Sequence, residues 1–174
     1  NKIKAIGNPT EGALLLWLNN NGVNYLDIRE SVTVIDRLQF TTELKYMATI
    51  IKSEATGKRT VYVKGAPDIL MGLCNLSESE RAIYNTKLAE YQSRANRTLA
   101  FAYKEIEEKD DVFTDGRLNI SDLIMLGVVG IEDPVRTDVP AAIEDCLNAG
   151  IQVKIVTGDA PGTAKEIGRQ LGLW

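Results

Sequence analysis

The sequence predicts an α+β fold, an antiparallel sheet with packed helices, followed by a partial α/β segment. Residues 32–40, 45–52 and 60–64 alternate apolar and polar side chains and are rich in β-branched types, with short polar turns between them, as hairpin strands do. Helical stripes with N-terminal capping signals flank these runs. From Leu123 the pattern becomes a continuous apolar strand, a helix, a second strand and a second helix, which is the order of a parallel sheet with helical crossovers.

Each element has a local reason. Asn8-Pro9-Thr10 opens a helix whose apolar stripe is Leu14, Leu15, Trp17 and Leu18, and Gly22 stops it after Asn21. The residues from Ser53 to Arg59, with Gly57, turn the second strand back into the third. Asp68 to Leu73 reads as a short helix. Ser77 and Glu80 have capping-box spacing, and Tyr84, Leu88, Tyr91 and Ala95 continue at helical intervals to about Arg94. Leu99 to Ile106 alternates again, and the acidic residues 105–115 form a surface loop. Beyond it the expected elements are the strand from Leu123, a helix over 138–149 ended by Gly150, a strand over 151–156 and a helix from Gly162. The change of pattern places a domain boundary near 120, giving domains 1–119 and 120–174.

Composition narrows function. With 44% hydrophobic and 25% charged residues in 174, the chain has enough apolar surface for a folded core. A formal net charge of −4 and the lack of a basic cluster exclude a nucleic-acid partner from the expectation. The absence of histidine removes thiolate–imidazole metal sites and Ser-His or Cys-His nucleophiles, which excludes many enzyme classes, and no metal ligand set is expected. The apolar runs 13–18 and 124–131 fall short of the roughly 20 residues that span a bilayer. A chain that starts at Asn1 without a leader reads as an excerpt of a longer polypeptide.

The motif with most chemical content is Val63-Lys64-Gly65-Ala66-Pro67-Asp68, a lysine at a strand end before a Gly-Ala-Pro turn. It is accompanied, in order, by Gly7-Asn8-Pro9-Thr10-Glu11-Gly12-Ala13-Leu14, Phe40 through Met47, Arg97-Thr98-Leu99-Ala100, and Asp133-Pro134-Val135-Arg136 followed by Thr157-Gly158-Asp159. Read from residue type alone, Phe40 is either core or an exposed stacking ring, Lys45, Lys64 and Arg97 are surface cations or phosphate ligands, and Glu11 favours a positive helix end or accepts a ligand proton. Asp133 and Thr157-Gly158-Asp159 follow predicted parallel strands, at the strand ends where open α/β sheets bind ligands, and Gly158 would let backbone approach a phosphoryl oxygen, although Thr-Gly-Asp taken alone is also a common turn.

In these segments and their spacing the whole chain resembles the nucleotide-binding domain of P-type cation-transporting ATPases, of the calcium-pump-like type II branch, continuing into part of the phosphorylation domain, a haloacid-dehalogenase-like fold. The resemblance implies an adenine nucleotide, ATP, as ligand. It implies that Phe40 stacks on adenine, Glu11 accepts from the adenine amino group, Lys64 lies deep in the adenine pocket, Met47 and Gly65 also bind the nucleotide, Lys45 and Arg97 lie nearer the phosphates, Leu99 packs beside the sugar, and Asp68 braces the turn. Asp133, Arg136, Thr157, Gly158 and Asp159 would support the phosphoryl site. Many calcium pumps carry arginine two residues after the stacking Phe, where this chain has Thr42, so a phosphate contact is expected to be lost.

The resemblance further implies magnesium in the intact enzyme, the phosphorylation, actuator and membrane domains as partners, and a place on the cytoplasmic side of a membrane. The Asp-Lys-Thr-Gly-Thr and Gly-Asp-Gly-x-Asn-Asp motifs of the family are absent from these residues, as is a Walker-type loop, so the isolated chain is expected to bind nucleotide without turnover. Two other classes remain open at this point. A haloacid-dehalogenase-type phosphatase would hydrolyse small phosphomonoesters, and an interaction module would use the acidic loop and bind no adenine nucleotide.

Overall fold

The computed structural model describes residues 7–132, 135–158 and 161–174. Its elements are α1 (Pro9–Asn20), α2 (Tyr25–Glu30), β1 (Val32–Leu38), β2 (Tyr46–Ser53), β3 (Arg59–Gly65), α3 (Pro67–Leu73), α4 (Glu78–Ser93), β4 (Arg97–Ile106), the short β5 (Phe113–Thr114) and β6 (Arg117–Leu118), β7 (Ile124–Ile131), α5 (Val139–Asn148) and α6 (Pro161–Gln170). The architecture is the α+β arrangement the sequence predicts. A five-stranded sheet has the order β1-β2-β3-β4-β7, its first three pairings antiparallel, and β5-β6 is a separate hairpin.

Two compact units divide the chain: Asn1–Asn75 with Ala100–Gly127, and Leu76–Leu99 with Val128–Trp174. In the first, the sheet has one covered and one open face. Tyr46, Ala48 and Ile50 of β2, Val61 and Val63 of β3, and Ala100 and Ala102 of β4 are all buried. Register aligns them in rows, Ala48↔Val63↔Ala102 and Tyr46↔Gly65↔Ala100. The residues between them face the other way and are half-buried or exposed, with Tyr62 stacked on Tyr103 at 6.1 Å between ring centroids. Helix α3 follows β3 directly, packs against it and buries Leu70 and Met71.

Local chemistry explains the ends of these elements. The Asn8 side chain accepts from Thr10 N at 2.9 Å and Glu11 N at 3.4 Å, with Pro9 in the first turn, so α1 begins where the sequence predicts. Strand β1 stops at Leu38 rather than 40, which leaves Phe40 in the connection to β2. Gly65 joins the end of β3 to the start of β2 at a distance no other residue permits. A Cβ there would lie 2.5 Å from the Lys45 carbonyl oxygen and 2.6 Å from Tyr46 Cβ. That carbonyl accepts from Ala66 N at 2.9 Å, and Lys45 adopts φ 58°, in the left-handed region uncommon for non-glycine residues.

The second unit is built around α4. Its capping box forms as expected, Ser77 N donating to Glu80 at 2.9 Å and Glu80 N to the Ser77 hydroxyl at 3.3 Å. Hydrogen bonds from the Ser77 side chain, then its backbone, hold the Glu80 carboxyl below its ordinary range, so this contribution is complete above that range and is lost as pH falls through the lowered value. Helix α6 packs on α4, with buried Thr163 donating to Asn96 O at 3.3 Å. On β7, Gly130 has no room for a side chain because Tyr91 Cδ1 would lie 2.7 Å from a Cβ.

Three expectations differ. Helix α2 has no predicted counterpart. Residues 151–156 are not a strand: Ile151 N closes the end of α5 on Cys146 O at 2.9 Å, residues 152–156 join no ladder, and Val156 is 97% exposed. A strand exists only where a neighbour takes its hydrogen bonds. Accordingly the β-α-β-α parallel sheet is not formed among the described residues, and β7 instead neighbours β4, with Ile124 and Leu126 exposed.

Replacing Gly65 by Ala should cost about 1 to 3 kcal/mol of folding stability, the usual penalty for forcing atoms into a closed contact. Urea unfolding measures it, and a loss under about 0.5 kcal/mol, the scale of an inert surface change, would show that the two strand ends part freely.

Candidate functional site

Antiparallel pairing brings the chemistry-bearing residues of the first unit to one end of the sheet. The last residue of β3, Gly65, pairs with the first of β2, Tyr46, and with Ala100 in β4. The end of β1, Leu38, pairs with Ala48 near the start of β2. Lys64, Gly65, Lys45, Met47 and the loop carrying Phe40 therefore gather where three strands start or stop.

On the open face, one row reads Met47↔Lys64↔Phe101. Directly opposed residues of an antiparallel pair have Cβ atoms about 4.5 to 5.5 Å apart, so the lysine stem is flanked by a thioether on one side and a ring on the other. The Lys64 side chain is only 19% exposed, and its ammonium makes an ion pair and hydrogen bond to Glu11 from the first turn of α1. Glu11 itself is 53% exposed, so the pair sits at a mouth open to solvent.

Around it, Phe40 is 58% exposed, a large ring mostly open to solvent. Lys45 is exposed, Met47 half-buried and Gly65 buried. Thr42 is exposed in the turn between β1 and β2, where Thr41 accepts from Leu44 N at 3.1 Å. Asp68 is exposed in the first turn of α3, where its charge suits the positive helix end. No side-chain hydrogen bond of Asp68 that would brace the turn forms among the described residues.

The remaining expected residues belong to the second unit or lie outside the described residues. Arg97 is exposed and Leu99 half-buried, both at the start of β4 within the second unit. Also in that unit, the Arg136 guanidinium is engaged by Asp138, at 3.1 Å from Nε and 2.6 Å from Nη2. Thr157 and Gly158 are exposed before α6, and Asp133 and Asp159 lie outside the described residues. Sequence reasoning missed Phe101. The signal was the alternation Leu99-Ala100-Phe101-Ala102-Tyr103, in which the alanines take the closely packed face and the rings the open one.

The assembly suits a planar, partly polar ligand with anionic character. The exposed Phe40 ring offers a stacking surface, Glu11 an acceptor, Lys64 a donor beside apolar neighbours, and Lys45 a cation at the edge. Among the described residues no group of three or more Asp, Glu, Cys or His could hold a metal ion, and no helix is long and apolar enough to cross a membrane.

Residues 1–138 match the family profile of the P-type ATPase cytoplasmic domain N. Among curated proteins, the chain is 32% identical to calcium-transporting ATPase PAT1 of Dictyostelium discoideum, with 99% of this chain and 16% of the relative covered. It is 36% identical to a calcium-transporting ATPase of Bacillus subtilis, over 96% of this chain and 20% of the relative. It is 34% identical to the sodium/potassium exporting P-type ATPase cta3 of Schizosaccharomyces pombe, over 96% and 17%. The chain thus spans between 16% and 20% of the length of these relatives.

Replacing Glu11 by Gln should change folding stability by less than about 1 kcal/mol, because a half-exposed ion pair is screened by water. A loss of about 3 kcal/mol or more, typical of a buried charge left unpaired, would show that Lys64 is a structural cation rather than one lining a mouth. Urea unfolding distinguishes the two.

Proposed function

The chain belongs to the P-type ATPase family, and we propose that the sheet end around Lys64 binds ATP and presents it to an aspartate elsewhere in the longer protein. The observation that carries this reading is the Glu11–Lys64 pair, its lysine flanked by Met47 and Phe101 in the sheet and its carboxylate open to solvent, with the exposed Phe40 ring on the adjoining loop. Adenine stacks on Phe40 and turns its amino group toward Glu11, which accepts, while Lys64 donates to a ring nitrogen. Lys45 neutralises phosphate charge at the rim. Arg97 and Leu99 are assigned to the phosphates and the sugar of the same nucleotide.

In this reading the chain contributes positioning and charge neutralisation rather than a nucleophile. Residues 1–119 form the nucleotide-binding domain and 120–174 part of the phosphorylation domain, where Asp133, Arg136, Thr157, Gly158 and Asp159 support the phosphoryl site. Magnesium in the intact enzyme would shield phosphate charge during transfer; the described residues provide no cluster for it. The partners are the phosphorylation, actuator and membrane domains of a cation pump, and the chain faces the cytoplasm. Calcium is the ion assigned, from the names of relatives that match nearly the whole chain.

Affinity should be weak. One stacking ring and a few exposed cations support a dissociation constant of roughly millimolar, or about 4 kcal/mol. In an NMR titration with ATP, shifts should centre on Glu11, Phe40, Lys64 and Arg97, and an unchanged spectrum at several millimolar would refute the proposal. Phe40→Ala should weaken ATP by about 1 to 3 kcal/mol with thermal stability nearly unchanged. Were it instead to cost about 3 to 5 kcal/mol of stability, as a truncated core ring does, Phe40 would be a packing residue.

A further inference from the structure

The loop between β1 and β2 carries a second cation that does not belong to it. The turn Asp115-Gly116, with φ 51° and 70°, folds β5 back on β6 so that Thr114 pairs with Arg117. Arg117 reaches across to Glu43 in the loop, and its Nη2 forms an ion pair with that carboxylate. The next residue is fixed independently, since Leu118 N donates to the Tyr46 hydroxyl at 3.0 Å in a partly buried contact. Tyr46 is itself 7% exposed, so the hairpin is anchored to the first residue of β2. The guanidinium is thereby kept beside a loop bounded by Phe40 and Lys45.

We infer that Arg117 is a phosphate-binding residue, which engages the polyphosphate of a nucleotide whose base stacks on Phe40. This rests on the reading above that the loop and the Lys64 pocket take an adenine nucleotide. Both members of the ion pair are open to water, with side chains 62% and 75% exposed, so a solvated Glu43 gives up its partner at little cost. A triphosphate carries more charge than one carboxylate and offers paired oxygens to the guanidinium fork. Glu43 is therefore a placeholder that orients Arg117 while no anion is present. The hairpin, rather than the loop itself, then supplies a phosphate contact at the rim.

The test is an NMR titration of the full chain with ATP and, separately, with adenosine, at low salt so that exposed charges are not screened. Arg117→Gln should weaken ATP about three- to tenfold, the scale of one exposed charge-assisted contact, and leave adenosine unchanged. Glu43→Gln should tighten ATP about two- to threefold by releasing Arg117, and this gain should vanish in the Arg117→Gln background. Equal effects on ATP and adenosine, no effect on ATP, or a Glu43→Gln gain that persists without Arg117 would each overturn the inference while leaving nucleotide binding intact. If the unmodified chain bound neither ligand, the reading beneath it would fall as well.

Discussion

The contact at Gly65 is the constraint on which the open end of the sheet depends. Because this residue has no Cβ, the end of β3 can lie against the start of β2, and Ala66 N reaches the Lys45 carbonyl at 2.9 Å. That close approach sits at the turn entering α3, beside Lys45 at φ 58°, and one position along the ladder from the row of Met47, Lys64 and Phe101. A larger residue would push the strand ends apart and misalign the row. The Gly-Ala-Pro sequence after Lys64 is thus a packing requirement first, and the placement of the lysine follows from it.

Lys64 illustrates how a covered cation is made tolerable. Its stem lies between two apolar neighbours, which removes water from the methylenes, while the ammonium keeps one carboxylate partner at the solvent edge. A fully buried pair would be costly to desolvate, and a fully exposed one would hold no geometry. The intermediate position allows the pair to exchange partners with an incoming polar ligand. Glu43 and Arg117 repeat the same logic at the rim, with both side chains more exposed and correspondingly weaker coupling.

Much of the fold was legible because local rules and tertiary packing agree. The Asn8 cap, the Ser77–Glu80 box and the alternating β2, β3 and β4 strands are each set within a few residues of chain. The misses share a different cause. Helix α2 is six residues long, too short to show a helical stripe, and is marked mainly by the Asn24 cap and by Asp27 and Arg29 at its two ends. Residues 151–156 have strand composition, but composition supplies no hydrogen-bonding neighbour. For the candidate site, Glu11 and Lys64 stand out singly in their motifs, yet they lie 53 positions apart, and only the packing of α1 shows that they meet. Phe101 is concealed by residue type: its alanine neighbours, not the ring, occupy the buried face.

The central claim is that adenine lies between the Phe40 ring and the Lys64 row. Intermolecular nuclear Overhauser effects between ATP and the isotope-labelled chain test it directly. The account predicts cross-peaks from adenine H2 and H8 to the Phe40 ring and the Met47 methyl group. It would be contradicted if ATP, at concentrations that perturb the spectrum, gave no cross-peak to either residue.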